Sequence, residues 1–407
     1  MSVLVQKYGG SSVADVTKIG LVADKVVASK RAGHDVVVVV SAMGKATDEL
    51  VALARSAANV GREAPFDPPR RELDMLVSTG ERVSMALLSI AIHARGCDAI
   101  SFTGSQSGII TNDRHFDAKI LEVRPHRIED ELARGKIVIV AGYQGMSYRR
   151  EITTLGRGGS DTTAVALAAA LGAERCEIYS DVDGVYSADP RVVADPVHLP
   201  EIDLAMLQEM AEAGAKVLNA QAVEWARRAK ITLHARKTSD PLDASGKPAR
   251  ETVAREMHAG EGTDARRARA VVGLDRVVHA RLAASTLGAF SELASSLDVP
   301  LLDVASFGGH ASCAIPLLNL PDWASCRARL MAERGGALAL DEDRAIVSVV
   351  GDGLTTSARA LPRFLALLEE TGARVHAVHA GPLRMGATID ASELAAAQRA
   401  LHAAFVE

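Results

Sequence analysis

Aromatic residues are scarce in this chain. Phe, Trp and Tyr make up 3% of its 407 residues, and the formal net charge is −5. Proteins that bind nucleic acid stack bases on aromatic rings and carry a positive surface field. We therefore expect no nucleic-acid partner, and we expect cores built from Ala, Val, Leu and Ile.

Cysteine is also rare, and long apolar runs are missing. The four cysteines lie far apart, with no Cys-x-x-Cys pair and no histidine at zinc-ligand spacing. The turn at Asp181 and Asp183 fails as a calcium loop, because Tyr186 stands where such a loop needs glycine. No apolar run approaches the roughly 18 residues of a membrane span, and the first strand-like run starts at Val3 without a leader. We expect a cytoplasmic protein with no membrane span and no metal centre of its own.

Apolar residues make up 48% of the chain, enough for two or three sizeable cores. Short apolar strands alternate with longer helical segments as far as about Tyr186, and Asp35–Ser41 contains five successive valines. This pattern predicts an α/β domain around a largely parallel sheet over residues 1–250.

The composition then changes to Asp, Gly, Pro, Ser and charge, and residues 251–270 are predicted to form a linker. Two smaller units with similar strand and helix patterns follow at 271–345 and 346–407. Tandem units of this kind suggest a regulatory or dimerising module.

Glycine-rich turns follow two of the predicted strands. In Lys7-Tyr8-Gly9-Gly10-Ser11-Ser12 the glycines allow a phosphate to approach the backbone, and Lys7 supplies a positive charge. Ser41-Ala42-Met43-Gly44 occupies the same place after the valine-rich strand. A tight turn with a surface lysine, and an ordinary strand-to-helix turn, are the alternatives.

The stretch Leu155-Gly156-Arg157-Gly158-Gly159-Ser160-Asp161 opens a helix that is apolar on all sides. A helix N-cap accounts for Ser160 or Asp161, but it does not account for Arg157. A guanidinium one turn from a carboxylate would bind both ends of a zwitterion, with its carboxylate on Arg157 and its ammonium on Asp161. Glu81 would add a second acidic contact, although a helix-start glutamate is equally plausible.

The run Ser180-Asp181-Val182-Asp183-Gly184-Val185-Tyr186 and its continuation to Asp189 and Arg191 follow another predicted strand. A nucleotide pocket fits this run, with Tyr186 packing on a base and Arg191 reaching a phosphate. An Asp-rich surface turn is the alternative.

Taken together and in this order, these motifs, with Thr47-Asp48-Glu49-Leu50 and Gly80-Glu81-Arg82, resemble the aspartate kinase family over about the first 235 residues. The resemblance implies the amino-acid-kinase fold, a three-layer αβα sandwich, followed by tandem ACT domains of the ferredoxin-like α+β class. It implies phosphorylation of the side-chain carboxylate of L-aspartate by ATP and Mg²⁺, giving 4-phospho-L-aspartate.

The resemblance also implies roles for individual residues. Those assigned to catalysis are Lys7, Arg157 and Asp161. Those assigned to the amino acid are Thr47, Glu81, Arg157, Gly158, Gly159 and Ser160. Those assigned to the nucleotide are Lys7, Gly9, Gly10, Ser41, Ser180, Asp181, Tyr186, Asp189, Arg191, Lys216 and Val217. The family's usual His-Pro is Asn219-Ala220 here, so the sequence departs from the family next to the Lys216-Val217 loop.

The C-terminal third departs from the family. The turn that binds the inhibitory amino acid usually reads Asp-x-Pro-Gly, and here Ser285-Thr286-Leu287-Gly288 keeps only the glycine. We therefore expect feedback inhibition by lysine and threonine to be weakened, or this part only to dimerise the protein. Met257 lies where one subclass of the family begins a separate, shorter regulatory subunit, which is an alternative partner for this chain. The competing hypotheses are a kinase of the same fold for another acidic amino acid and a catalytically silent amino-acid-binding regulator.

Overall fold

The structure is a computed structural model of the chain, and it describes residues 2–64, 66–215, 218–243, 246–257, 268–334 and 338–406. The chain divides into two compact units. The first contains residues 1–185, 199–207 and 217–257, and the second contains residues 186–198, 208–216 and 258–407.

The described part of the chain up to Met257 contains short strands and mostly longer helices. The strands are β1 (Val3–Tyr8), β2 (Asp35–Val40), β3 (Ala99–Phe102), β4 (Ile109–Thr111), β5 (Ile120–Val123), β6 (Ile137–Ala141), β7 (Gln144–Ser147), β8 (Ile152–Thr154), β9 (Arg175–Ser180), β10 (Val185–Tyr186), β11 (His198–Leu199), β12 (Glu201–Asp203), β13 (Leu233–Lys237) and β14 (Thr252–Arg255). The helices are α1 (Val16–Arg31), α2 (Ala46–Asn59), α3 (Arg70–Val77), α4 (Thr79–His93), α5 (His126–Ala133), α6 (Gly159–Ala170), α7 (Leu204–Glu212) and α8 (Ala220–Ala229).

Eight of these strands form one sheet in the order β12-β14-β13-β9-β1-β2-β6-β3. Neighbours from β13 to β3 run parallel, and β14 pairs antiparallel with β13. The five valines of β2 are fully buried, as expected for a strand covered on both faces.

Helices cover both faces of this sheet. Side chains of α1 and α4 share one apolar core with Val36, Val38 and Val40. Because alternate residues of a strand point to opposite faces, Val37 and Val39 face the other layer. There α6 contacts β1, β2 and β9, while α8 packs against α6. The predicted three-layer αβα sandwich is confirmed, and burial between the sheet and α8 explains why α6 is apolar on all sides.

Several short strands are not predicted by the sequence pattern. A four-stranded sheet, β5-β4-β7-β8, and the pair β10-β11 lie outside the main sheet. Helices α3 and α4 follow one another directly and meet at Ser78.

Together α3 and α4 form the one stretch, within the described residues, that is long and apolar enough to cross a membrane by length and composition. The sequence expectation of no such run is corrected on this point. The signal is weak, since core helices of soluble proteins pass the same test and 44% of the apolar window is buried in the protein. Two carboxylates of this stretch, Asp74 and Glu81, are buried and accept hydrogen bonds from neighbouring segments of the first unit.

The second unit is built on one six-stranded sheet. Its strands are β15 (Ala268–Ala283), β16 (Leu302–Phe307), β17 (His310–Pro316), β18 (Leu338–Gly351), β19 (Ala377–Ala380) and β20 (Arg384–Asp390). Its helices are α9 (Leu287–Ser296), α10 (Trp323–Arg334), α11 (Ala360–Glu370) and α12 (Leu394–Phe405). The strand order is β16-β17-β15-β18-β20-β19.

Strands β15 and β18 are long and are shared by two halves of this sheet. Residues 277–282 of β15 pair with 338–344 of β18, whereas residues 268–274 pair with 346–351. The first half, about 277–344, therefore has the strand order 2-3-1-4 of a ferredoxin-like βαββαβ unit. The second half has the same order, but its fourth strand, 268–274, precedes the first half in sequence.

Because of this shared pairing, the observed limits of the two C-terminal halves and of the linker differ from the predicted limits. The predicted halves 271–345 and 346–407 follow one another, whereas in the structure the first half is inserted into the second. Of the predicted linker 251–270, residues 252–255 form β14 in the large sheet and 268–270 begin β15. Residues 258–267 lie outside the described residues.

Candidate active site

The carboxyl ends of the parallel strands β9, β1, β2 and β6 meet at one edge of the large sheet, where open α/β sheets bind ligands. Backbone hydrogen bonds hold the loops at this edge together. The Gly9 N–H donates to the Tyr179 carbonyl at 3.1 Å, and the Gly44 N–H donates to the Gly10 carbonyl at 3.0 Å. The first unit therefore brings three of the predicted glycine-rich and polar segments to one place.

Lys7 and Asp161 form a nearly buried ion pair at this edge. The Lys7 Nζ lies 2.6 Å from the Asp161 Oδ1, and the two side chains are 11% and 8% exposed. Lys7 ends the central strand β1, and Asp161 lies in the first turn of α6, where the helix dipole favours a carboxylate. The predicted partner of Asp161 is a ligand ammonium, whereas here the carboxylate holds the Lys7 ammonium.

The loop beside Lys7 requires glycine. A Cβ on Gly10 would lie 2.8 Å from the Ala42 carbonyl oxygen and 3.0 Å from that of Gly44, too close for any side chain. The loops after β1 and β2 are thus in van der Waals contact. Ser41, which follows β2, is half-buried at the same edge, and Thr47 is half-buried in the first turn of α2.

Glu81 is a buried carboxylate on α4. It is 2% exposed, and its Oε1 accepts a hydrogen bond from the Ala42 N–H at 3.1 Å. Its Oε2 has no hydrogen-bond partner among the described residues. Burial raises the pKa of Glu81 to about 7, although the Ala42 N–H acts in the opposite direction. A cationic ligand group beside Oε2 would satisfy this oxygen and favour its charge.

Arg157 projects from the turn before α6. Gly158 holds this turn in the left-handed region at φ 76°, and a Cβ there would lie 2.8 Å from the Asn219 Cβ. The Arg157 Nη2 lies 3.0 Å from the Asp48 Oδ1, and both side chains are 58% exposed. The guanidinium is therefore held by an exposed ion pair of small energy. Gly159, Ser160 and Asp161 are buried in the first turn of α6.

Sequence reasoning gave no role in the site to four residues that shape it. Asn219 donates from Nδ2 to the Arg157 carbonyl at 2.7 Å and also caps α8. Asp74 is fully buried and accepts from Phe116 N–H and from Thr154, which ends β8 before the Arg157 turn. Tyr143 follows β6 with a left-handed φ of 69°, a strained conformation typical of functional sites. Asp48 is the fourth. Asparagine before a helical pattern is an N-cap signal, which makes Asn219 the most detectable of them.

The predicted nucleotide residues divide between the two units. Ser180 and Asp181 follow β9 at the edge described above, and the Ser180 hydroxyl accepts from the Val182 N–H at 3.3 Å. Tyr186, Asp189 and Arg191 belong to the second unit. There the Tyr186 ring meets the His198 ring edge-on with centroids 5.2 Å apart, and the Arg191 Nη2 lies 2.7 Å from the Asp189 Oδ2. Lys216 and Val217 lie outside the described residues.

Ser285 lies in a short 3₁₀ turn before α9, and Gly288 lies in the first turn of that helix. A Cβ on Gly288 would meet no atom within 4 Å, so the fold itself does not require glycine at this position.

The described residues contain no group of three or more His, Cys, Asp or Glu side chains able to hold a metal ion. Mg²⁺ in phosphoryl-transfer sites is commonly held by one or two carboxylates together with phosphate oxygens, and it needs no such cluster. The Asp161 carboxylate beside Lys7 and the open glycine loop fit a magnesium-bound phosphate chain.

Comparison with known proteins agrees with this geometry. Residues 2–236 match the model of the amino acid kinase family. An aspartokinase of Mycolicibacterium smegmatis is 42% identical, with all of this chain and 96% of that protein covered. An aspartokinase of Corynebacterium glutamicum is 40% identical, with the same shares covered. The crystal structure of Escherichia coli aspartokinase III in complex with aspartate and ADP has a TM-score of 0.85 at 23% identity, with 98% and 99% of the two chains covered.

A fold with this sheet edge, and a match over more than half of the chain, define an amino acid kinase. The full-length relatives narrow the family further, and the chain belongs to the aspartokinases. The resemblance drawn from the ordered motifs is confirmed.

Proposed function

We propose that this enzyme transfers the γ-phosphoryl group of ATP to the side-chain carboxylate of L-aspartate, giving ADP and 4-phospho-L-aspartate. The observation that carries the proposal is the Lys7–Asp161 pair beside the glycine loop after β1, with the buried Glu81 hydrogen-bonded to the loop after β2 in the same unit. Lys7, as a cation for the phosphates of ATP, and Glu81, as a carboxylate for the ammonium of aspartate, then lie at one edge of the sheet.

Lys7 and the loop Gly9-Gly10 bind the phosphates in this proposal. The Lys7 ammonium stabilises the charge that develops on the transferring phosphoryl group, and Asp161 keeps that ammonium fixed at the end of β1. Asp161 would also help to hold Mg²⁺ together with the phosphate oxygens, and the metal would supply further charge neutralisation. Ser41, Ser180 and Asp181 follow neighbouring strands and complete the part of the nucleotide site that belongs to the first unit. Tyr186 and Arg191 are assigned to the nucleotide by the sequence pattern and the family resemblance, and Asp189, Lys216 and Val217 by the resemblance alone.

The acceptor end is assigned to Glu81, Arg157 and the first turn of α6. The Glu81 Oε2 binds the ammonium of the substrate aspartate. Arg157 releases Asp48 and binds the α-carboxylate of the substrate. Thr47, Gly158, Gly159 and Ser160 shape the same end. The side-chain carboxylate of aspartate is ionised near neutral pH, so no general base is needed. Its oxygen attacks the γ-phosphorus, the bond to the β,γ-bridging oxygen breaks, and ADP leaves.

The test is release of ADP from ATP and Mg²⁺, measured with aspartate, with glutamate and without an acceptor. We expect turnover with aspartate and a much lower kcat/KM with glutamate. A preference for glutamate would favour a kinase for another acidic amino acid. Absence of acceptor-dependent turnover, in protein whose folding is verified by circular dichroism, would favour a silent amino-acid-binding regulator.

The C-terminal unit is assigned to assembly, with weakened feedback inhibition. The sequence at Ser285 and Gly288 lacks the carboxylate and proline of the family's effector turn. The edge strand β16 leaves Phe307 90% exposed and Val304 49% exposed, which fits a homodimer or higher oligomer formed through this sheet. We expect a cytoplasmic enzyme.

Feedback is tested in the same ADP assay with lysine plus threonine at about 5 mM, at substrate concentrations near their KM values. We expect less than a twofold loss of rate. Strong inhibition at this concentration would refute the weakened-feedback part of the proposal and leave the kinase activity itself untouched.

A further inference from the structure

The second unit contains a polar pocket that the proposed function leaves unassigned. Its volume is about 280 Å³, close to the lower end of the roughly 300–1,000 Å³ typical of small-molecule sites. The pocket is lined by His279, Arg281, Asp341, Arg344, Arg374 and His376.

This pocket lies on the face of the sheet that carries no helices in the first half. In β15, Val278, Ala280 and Leu282 pack into the core formed with α9 and α10. Since alternate side chains of a strand point to opposite faces, His279 and Arg281 face away from those helices. The degenerate effector turn at Ser285 and Gly288 instead leads into α9. The pocket is therefore a feature separate from that turn.

His279 is the unusual member of the pocket. It is 3% exposed, and neither ring nitrogen has a hydrogen-bond partner among the described residues. Buried polar atoms are nearly always hydrogen-bonded, because desolvation without a partner costs free energy. The Arg344 Nε is likewise buried without a partner in the described part of the chain. Two of the residues that line the cavity thus carry buried nitrogen atoms without a hydrogen-bond partner.

The charges around the pocket favour an anion. Asp341 lies 2.9 Å from the Arg281 Nη2, and Asp390 is shared by Arg344 at 2.9 Å and His376 at 2.7 Å. The Glu393 carboxylate accepts a hydrogen bond from the backbone N–H of Arg374 at 2.8 Å. Three of the lining residues are arginines and one, Asp341, is a carboxylate, whereas Asp390 and Glu393 are not among the lining residues; positive charge therefore predominates in the lining of the cavity.

We propose that this pocket binds a small dianion whose carboxylate or phosphate oxygens accept hydrogen bonds from His279 and from the Arg344 Nε. Guanidinium groups bind both kinds of oxygen in bidentate fashion, and the volume limits the ligand to the size of a short dicarboxylate or inorganic phosphate. Such a ligand would satisfy both unpaired donors at once.

The protonation of His279 is consistent with this role. Burial lowers the pKa of His279, and the positive charge of Arg281 lowers it further. The ring is therefore neutral at neutral pH, with one N–H donor available to an anion. A bound dianion would act in the opposite direction and raise this pKa.

The experiment is calorimetric titration of the full-length protein with inorganic phosphate and, separately, with succinate, in a buffer without other polyvalent anions. We expect saturable binding of at least one of them with a Kd below about 1 mM, and the two titrations separate a phosphate ligand from a dicarboxylate. Arg344→Gln and His279→Leu should each weaken this binding at least tenfold. Arg329→Gln, on the exposed surface of α10, is the matched control and should bind as the unchanged protein does.

Kinase turnover and circular dichroism verify that each variant is folded, and Arg281→Gln serves as a milder variant if His279→Leu does not fold. The proposal is overturned if neither anion binds at about 10 mM, or if the pocket variants bind as tightly as the Arg329→Gln control. It is also overturned if Arg344→Gln dissociates an oligomer while anion binding is absent, because an acidic side chain of a second copy would then occupy the pocket.

Discussion

Replacing Glu81 by glutamine tests the central electrostatic feature of the proposed acceptor site. The pKa of this carboxyl rises from 4.5 to about 7 on folding because the group is buried. The folded protein therefore holds this proton more tightly than the unfolded chain does. Its contribution to stability is complete below pH 4.5 and is lost as the pH rises through 7. At higher pH the ionised, buried carboxylate destabilises the fold.

The magnitude follows from the two pKa values. At about 1.4 kcal/mol per pKa unit, ionisation of Glu81 costs about 3 kcal/mol at pH 8 and about 1.4 kcal/mol at pH 5.5. Glutamine keeps the shape but does not ionise. The free energy of unfolding of the variant, relative to that of the unchanged protein, should therefore be about 2 kcal/mol higher at pH 8 than at pH 5.5. The same change should raise the KM for aspartate at least tenfold, because the ammonium loses its partner.

Urea unfolding at the two pH values measures the effect. In a Trp323→Phe background, the fluorescence of Trp225 on α8 reports on the first unit. Glu131→Gln is the control, and its effect on stability should have the opposite sign. Lys136, 2.6 Å away, lowers the pKa of the Glu131 carboxyl, so loss of this carboxylate should destabilise the protein. The same stability difference for Glu81→Gln at both pH values would refute the assignment of a raised pKa to this group.

Three further predictions concern the same sheet edge. Lys7→Ala should lower kcat by about 10³-fold or more while the KM for aspartate changes little, and turnover near that of the unchanged enzyme would remove Lys7 from the phosphoryl site. Gly10→Ala should raise the KM for ATP at least tenfold, since the added methyl lies 2.8 Å from the Ala42 carbonyl oxygen; an unchanged KM would show that the loop accommodates it. Asp48→Asn should lower the KM for aspartate by about two- to fivefold, because an exposed ion pair worth at most about 1 kcal/mol no longer competes for Arg157. A higher KM would mean that Asp48 helps to bind the acceptor.

Much of the first unit could be predicted from local sequence patterns. The strand-like run that starts at Val3 and the valine run Asp35–Ser41 coincide with β1 and β2, because buried parallel strands are continuously apolar. The glycine-rich turns after β1 and before α6 could also be predicted, because each is a short continuous stretch of the sequence. The four-stranded sheet β5-β4-β7-β8 was missed, since strands of three or four residues carry too little periodicity.

The pairings in the site could not be predicted, because they join distant segments. Arg157 meets Asp48 across 109 residues, and Asn219 reaches the Arg157 carbonyl across 62. A sequence pattern names the charged residues but not which of them will be neighbours. For Asp161, the predicted ligand ammonium and the observed Lys7 ammonium are chemically alike, so residue type alone could not separate them.

The insertion of one half of the C-terminal sheet into the other affects how this unit folds. The 268–274 segment pairs with a segment more than 70 residues further along the chain, and loop closure over that distance costs entropy. Once residues 277–344 have folded, the first and last strands of this half already lie side by side, and the segments 268–274 and 346–351 extend from the same ladder. Folding of the inserted half therefore brings the segments 268–274 and 346–351 together so that they can pair. A fragment confined to residues 346–407 would lack a strand and would leave the edge of β18 open to aggregation.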